Sequence, residues 1–559
     1  MVIYKPFLHK SKKLLNIADN FLYNMKNPLL LVSIMLIGFT AAGQPSSQSL
    51  LYKLVNEKRQ SFVTTETISL FTATSQGANQ EIRKILSAEQ FLLLNKVKSR
   101  SLYSSKPVSI SLLVPYKLQT YQLELIQEDI HINGVPAGKL TGNNKREKAG
   151  KVKAIHYRGY VHNNAASIAS FSVFENGEIM GLFSTAAGNF NLGKTGTGEY
   201  ILYNSEDMTA APAYECGTDE TLVTGGENSS RQMNEPVATP FVLCNKLSIY
   251  WEVDYSLYNH NFNNNYNNTI NYLSGLFNQV ATLFYSEGII AELSELYVWT
   301  TPDTFTTTSS ATGLNAIKNK WNSLGNNFNG DLCMLIDGGT TNNGGRAYVL
   351  TGSICNPTFA YAYSNVRGTY NTVPTYSWDV EVITHETGHN LGSRHTQWCG
   401  WNTGETGGCG SIDDCVSVET SSTNCSSCTA ATLTNPTPPA GFKGTIMSYC
   451  HLRTGIGINL ALGFGPLPSA VIRGNMVASS SCTIQNNTWT GGQSDAWEIP
   501  ANWSCGSVPT ASSDVIIPGG TPNNPVVKSA AVCRKLRQTP SASVTVNQGF
   551  SLKVAGTAQ

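Results

Sequence analysis

Three histidines and one glutamate constrain this chain more than any other feature. His385, Glu386, His389 and His395, with Gly392 before the last, read H-E-x-x-H-x-x-G-x-x-H. On a helix, residues four apart share a face, so His385 and His389 can reach one ion together. Glu386 points beside that face, where it can hold a metal-bound water and take its proton. Gly392 tolerates positive φ and can end the helix. The chain then turns back and brings His395 to the same point. Three neutral ligands leave a fourth position open, the mark of a catalytic rather than a structural zinc. A core helix carrying these residues by coincidence is the competing reading. Five fixed positions, with a glycine where the helix must stop, weigh against it.

The stretch resembles that of the metzincins, zinc endopeptidases with a third histidine and a downstream methionine turn. Gly444–Cys450 fits that turn. The resemblance implies that Met447 forms an apolar floor beneath the histidines and is not a ligand. Read alone, Met447 would be an ordinary core methionine. The region before the motif resembles the adamalysin (reprolysin) branch. Leu247–Asp254, Glu295–Thr300 and Cys333–Asp337 are strand candidates. Ile270, Leu273, Phe277, Val280 and Phe284 recur at helical spacing, and Leu314, Ile317 and Trp321 mark a second helix. Gly344–Leu350 is a fourth strand. In this family such an edge strand pairs with extended substrate, here through Gly345, Arg346 and Ala347. The active-site helix starts at about Ser377.

Three positions depart from the adamalysin pattern. Thr396 stands where the branch usually has Asp; the pappalysin-like branch often has Thr there and is the alternative family. Tyr449 is similar to the tyrosine of astacins and serralysins that can approach the zinc as a transition-state or fifth ligand. Its other reading is a packed aromatic beside the substrate pocket. Ser248 occupies the place of the first-strand acid of adamalysin calcium sites. One catalytic zinc is therefore expected, and calcium is not.

The chain has 559 residues, enough for about three domains. A net charge of +1 gives no electrostatic reason to expect nucleic acid. Charged residues make up 13%, about half the usual share, which suits a loop-rich extracellular protein. The apolar run Pro28–Phe39 follows Met25 and Lys26 and is short for a membrane span. With the small residues of Thr40–Gln44 after it, it reads as a secretory signal peptide, Met25 being a candidate start. The competing reading is a retained membrane anchor.

Thirteen cysteines agree with export. Twelve, from Cys244 to Cys533, could form six disulfides of unspecified connectivity. Cys425 and Cys428 are spaced for a structural zinc, but a disulfide role fits an exported chain better. Cys216 is left over, just upstream of the catalytic region, and Gly217 follows it. A thiolate there could fill the open zinc position and hold the enzyme latent. Cys216-Gly217 resembles the core of the metzincin cysteine switch. A buried structural thiol and an intermolecular disulfide are the bland readings. Upstream, Ser109–Val114, Leu123–Ile126, His156–Val161, Ala166–Val173 and Gly181–Phe183 are strand-like and similar to part of ADAM-type prodomains. Lys145–Lys148 reads as a solvated loop. Gly225–Gln232 reads as a cleavable linker.

From about Thr483 the composition shifts to short strands and glycine turns, similar to a repeat of exported Bacteroidetes proteins. Trp489, Trp497 and Trp503 read better as its core than as a sugar-stacking surface. The expected fold is α+β. A signal peptide (1–43) and a β-rich propeptide (44–235) precede a zincin-like catalytic domain (236–482) with a mixed, mainly parallel sheet; a small β module (483–559) follows. The expected function is a secreted, latent zinc endopeptidase acting on protein or peptide substrates. The alternatives are a pappalysin-like metzincin and an inactive, disulfide-rich surface or adhesion protein. The module could bind a surface or carbohydrate, and the oligomeric state is open.

Overall fold

The computed structural model describes residues 49–60, 65–75, 80–132, 134–195, 198–209, 216–218, 223–224, 244–339, 343–367, 376–403, 410–413, 415–419, 441–453, 455–539 and 541–556. The apolar run at 28–39, the linker at 225–232, and Cys425 and Cys428 lie outside them.

Helix α1 (Leu50–Gln60) opens the described chain. Strands β1 (Glu66–Ser69), β2 (Phe71–Thr74), β3 (Gln90–Leu94), β4 (Ser109–Tyr116) and β5 (Gln119–Gln127) follow, with α2 (Gln80–Ile85) and α3 (Lys96–Ser105) among them. Next come β6 (Pro136–Thr141), β7 (Lys145–Lys151), β8 (Ala154–Val161), β9 (Ile168–Phe174), β10 (Ile179–Thr185), β11 (Gly188–Lys194) and β12 (Tyr200–Asn204). All of these except β6 and β7 form one sheet in the order β1-β4-β5-β8-β9-β10-β11-β12-β3-β2. Within it β4–β5 and β8 through β12 are antiparallel neighbours joined by short turns, whereas β1 lies parallel to β4 and β3 closes on β12 across a long stretch of chain.

The central region carries β14 (Asn245–Val253), α4 (Tyr266–Ser286), β15 (Ile290–Trp299), α5 (Ser310–Ser323), β16 (Leu332–Asp337), β17 (Gly345–Ala347), β18 (Val349–Leu350), β19 (Tyr361–Asn365), α6 (Tyr376–Asn390) and α7 (Pro466–Ala478), after the short β13 (Val223–Thr224). The sheet runs β17-β19-β16-β14-β15-β6-β7. Pairings from β19 through β6 are parallel; those at the two ends are antiparallel. The N-terminal segment thus lends two strands to the central sheet. Lys145–Lys148 is therefore not a loop: it lies in β7, exposed along its length at the sheet edge. Charged edge residues are a common protection against further strand pairing. The single strand expected over Gly344–Leu350 is broken into β17 and β18, and β19 was not anticipated.

Helix α4 explains how the two sheets meet. It is buried over most of its length because β8 and β9 pack on one side and β15 and α6 on the other. Its polar Asn278 is satisfied across that junction: the side-chain N–H donates to Ser170 Oγ at 2.9 Å, and Oδ1 accepts from Arg158 Nε at 3.1 Å. One hydrophobic core accordingly runs from Leu51, Val55 and Tyr203 through Trp251, Phe277 and Leu335 to Met447.

The C-terminal segment stacks β20 (Ile484–Thr488), β21 (Ser513–Ile517) and β22 (Lys535–Gln538) in parallel, and β20 also pairs with β14. Trp489, Trp497 and Trp503 are 0–3% exposed and form a separate small core with Val515 and Ile517. They have no face free for a sugar. Disulfides join Cys244 to Cys505, Cys355 to Cys482 and Cys415 to Cys450. Cys216 is not the sole leftover thiol: Cys333 and Cys533 are also free, both buried in strand cores.

Candidate metal centre

Helix α6 places His385, Glu386 and His389 on the side facing the sheet edge. It stops at Asn390, and Gly392 adopts φ +87°. A side chain at Gly392 would also strike Asn475, whose amide donates to the Leu350 and Leu391 carbonyls at 2.9 and 2.8 Å. The turn brings His395 back, with ring centroids 5.3 Å from His385 and 4.6 Å from His389.

The tautomers follow from the partners. A carbonyl only accepts, so His385 Nδ1–H donates to Ile446 O at 2.7 Å and His389 Nδ1–H to Ser393 O at 2.8 Å. His395 Nδ1 meets Glu419 Oε1 at 2.7 Å. Each Nε2 is left with its lone pair directed inward. His389 Nε2 and His395 Nε2 are only 3.1 Å apart, and His385 Nε2 is buried with no hydrogen-bond partner. Two lone pairs that close repel unless a cation lies between them. Burial, aided by the neighbouring histidines, holds His385 and His389 far below the usual imidazole range, in the neutral form a metal needs. The residues present therefore fit a divalent ion.

Cys216 Sγ completes a four-residue group in which all candidate ligand atoms lie within 4.8 Å of one another. It is 3.5 Å from His389 Nε2. Burial first, then the Glu386 carboxylate, push its thiol well up.

Glu386 is fully buried and its Oε1 has no hydrogen-bond partner; burial pushes its carboxyl up to about 8. A Cβ on Gly345 would lie 2.2 Å from Glu386 Oε1, so only glycine lets β17 pass this close to the carboxylate. A Cβ on Gly388 would likewise meet Met447 Sδ at 2.8 Å. The methionine turn thus presses directly on α6 between Glu386 and His389. Thr396 N–H donates to Met447 O at 3.0 Å, linking the histidine turn to the methionine turn without the acid found in adamalysins.

The segment around Cys216 lies along β17 and β18 in the parallel direction: Cys216 bridges Gly345, and β13 pairs with β18. Gly217 N–H donates to Gly345 O at 2.8 Å, close to the half-buried Arg346. Thr218 Oγ1 accepts from Ala347 N–H at 2.9 Å and lies 3.4 Å from Glu386 Oε2. Tyr449 donates from its hydroxyl to Cys216 O at 2.7 Å, and its ring sits 4.7 Å from that of His395. Its hydroxyl is therefore engaged by this strap. Beneath the strap a cavity of about 10 Å³ is lined by Trp378, Glu381, His385, Glu386, Tyr449 and His451.

Sequence reasoning missed Thr218, Glu381 and Glu419. Thr218 had a signal, two residues after Cys216. Glu419 had none, because its contact with His395 spans 24 residues.

A buried three-histidine, one-carboxylate centre beside a glycine-bearing edge strand defines the class of metal-dependent peptidases. Residues 244–455 match the family described as metallo-peptidase family M12, in its reprolysin form, and this region is a reprolysin-like metzincin domain. Residues 488–559 match a family described as a domain of unknown function. No curated protein matches the chain. Among solved structures, metalloproteinase-II from Bacteroides fragilis matches at 12% identity, covering 59% of this chain and 88% of that one, with a TM-score of 0.26.

Proposed function

We propose that the chain is a secreted zinc endopeptidase, made latent by its own N-terminal segment. His385, His389 and His395 hold the zinc, which when bound lowers the pKa of a water and polarises the scissile carbonyl. Glu386 takes the water's proton and later passes it to the leaving amine. An extended peptide takes the place of residues 216–224 along β17 and β18, hydrogen-bonding to the main chain of Gly345 and Ala347. Tyr449, released from Cys216 O, is then free to donate a hydrogen bond to substrate.

Latency rests on the strap. Cys216 lies at the open ligand position, and Thr218 puts a hydroxyl rather than a peptide carbonyl nearest Glu386. The parallel strap therefore fills the cleft without being a substrate for it. Secretion is proposed from the run Pro28–Phe39 and the disulfides.

The convergence of three inward-facing imidazole nitrogens on one point beside Glu386 carries this reading. Its test is casein hydrolysis by the processed protein. Glu386→Ala should lose activity by about 10²–10⁴-fold while zinc content and circular dichroism stay unchanged. Wild-type turnover by this variant would refute Glu386 as the base. An inactive wild type would favour the adhesion alternative.

A further inference from the structure

His385 and His389 each rest on a main-chain carbonyl, but His395 rests on a carboxylate. That carboxylate is held in place from several sides. Gln397 Nε2–H donates to the same Glu419 oxygen at 2.9 Å. Glu419 N–H donates to Gln397 O at 3.0 Å, and Cys399 N–H donates to Glu419 O at 3.3 Å. Trp398 and Glu419 form a parallel bridge. Cys415, four residues earlier, is crosslinked to Cys450 beside the methionine turn, and Cys399 is itself disulfide-bonded. Crosslinked cysteines at Cys399 and Cys415 thus flank the pairing that sets one carboxylate against one imidazole. His395 needs this more than its partners do. It lies beyond the end of α6, where no helix fixes its ring.

We infer that Glu419 is the positioning residue of the metal centre, fixing the ring and tautomer of His395 and raising its basicity as a ligand. The inference rests on the three-histidine zinc site proposed above. An anionic acceptor makes the imidazole a better donor to a cation than a carbonyl does, and such outer partners commonly govern metal affinity by about 10–100-fold.

The test uses the full-length chain carrying Cys216→Ser and Glu386→Ala, so that the histidines alone hold the ion and no self-cleavage occurs. Zinc affinity is measured by chelator competition, and the cobalt-loaded protein by its visible absorption. Glu419→Ala should weaken zinc by about 10–100-fold and shift the cobalt bands. Glu419→Gln, which keeps an acceptor but no charge, should sit at the lower end, about tenfold. Glu419→Asp should recover part of the loss. Melting of the metal-free proteins checks the fold; should the alanine variant not fold, the glutamine variant decides. Zinc affinity within twofold of the parent and unmoved cobalt bands would overturn the role of Glu419 alone. A parent that binds no zinc would overturn the site reading with it.

Discussion

The two segments flanking the catalytic region are attached by opposite means. The N-terminal segment has one cysteine, Cys216, and it is free. This segment is held by packing: it shares a continuous core with the catalytic region, covers α4 and adds β6 to β15. The C-terminal segment has its own small tryptophan core and is crosslinked through Cys244–Cys505. Buried across the same junction, Lys246 bridges Glu292 and Asp514, both at 2.6 Å. Packing can be surrendered piecemeal, beginning with a strap on an edge strand; a crosslink cannot. The contacts proposed above to inhibit lie on the side without a crosslink, where they can be lifted without breaking a covalent bond.

The most forceful way to break this comparison is to release the strap chemically. Cys216→Ser in the uncut chain should raise casein hydrolysis severalfold or more, since one ligand is lost while Gly217 and Thr218 still occupy β17. Activity as low as in the parent would mean that coverage alone keeps the protein latent. The next is to cut within 225–232. Because the N-terminal sheet shares its core with the catalytic region, the two pieces should still co-elute in gel filtration, with only the strap lifted. Clean separation under native conditions would show that packing holds this segment less well than the buried core implies.

Trp489→Ala should cost about 3–5 kcal/mol of module stability, as for other large-to-small core changes. The loss should stay local: amide exchange should rise across 484–556 while casein hydrolysis is unchanged. Exchange that rises in α4 as well would show that the small core is not independent. The smallest effect expected is on pH dependence near the cleft. Burial pushes the Glu381 carboxyl up to about 8, with the His451 imidazole 3.4 Å away. The folded state keeps a proton that the unfolded chain gives up above its ordinary value of 4.5. That contribution to stability is full below about pH 4.5 and is lost as pH rises to about 8. Glu381→Gln cannot lose it, so its melting temperature relative to wild type should climb between pH 5 and 8. A constant difference would show that Glu381 is ionised in the folded protein.

Much of the centre was legible in the sequence because its spacing is local. His385 and His389 are one helical turn apart, and Gly392 announces the bend that returns His395. The central helices and strands were legible from periodicity, α4 most clearly, though helical spacing alone did not show that it is covered on both sides. Lys145–Lys148 misled because a charged strand at an edge has the composition of a loop. Only its pairing with β6, itself borrowed into the catalytic sheet, makes it a strand.

The sequence by itself determined the donor set: residue types and local spacing specify three imidazoles, a carboxylate and a glycine stop, and helix geometry brings them together. Tertiary structure alone decided what surrounds them. That Cys216 meets His389, that the strap runs parallel to β17, that Thr218 meets Glu386, and that Glu419 meets His395 are contacts between residues 24 to 173 apart. Such contacts leave no periodic trace, since they depend on which faces the folded core leaves adjacent rather than on any pattern along the chain.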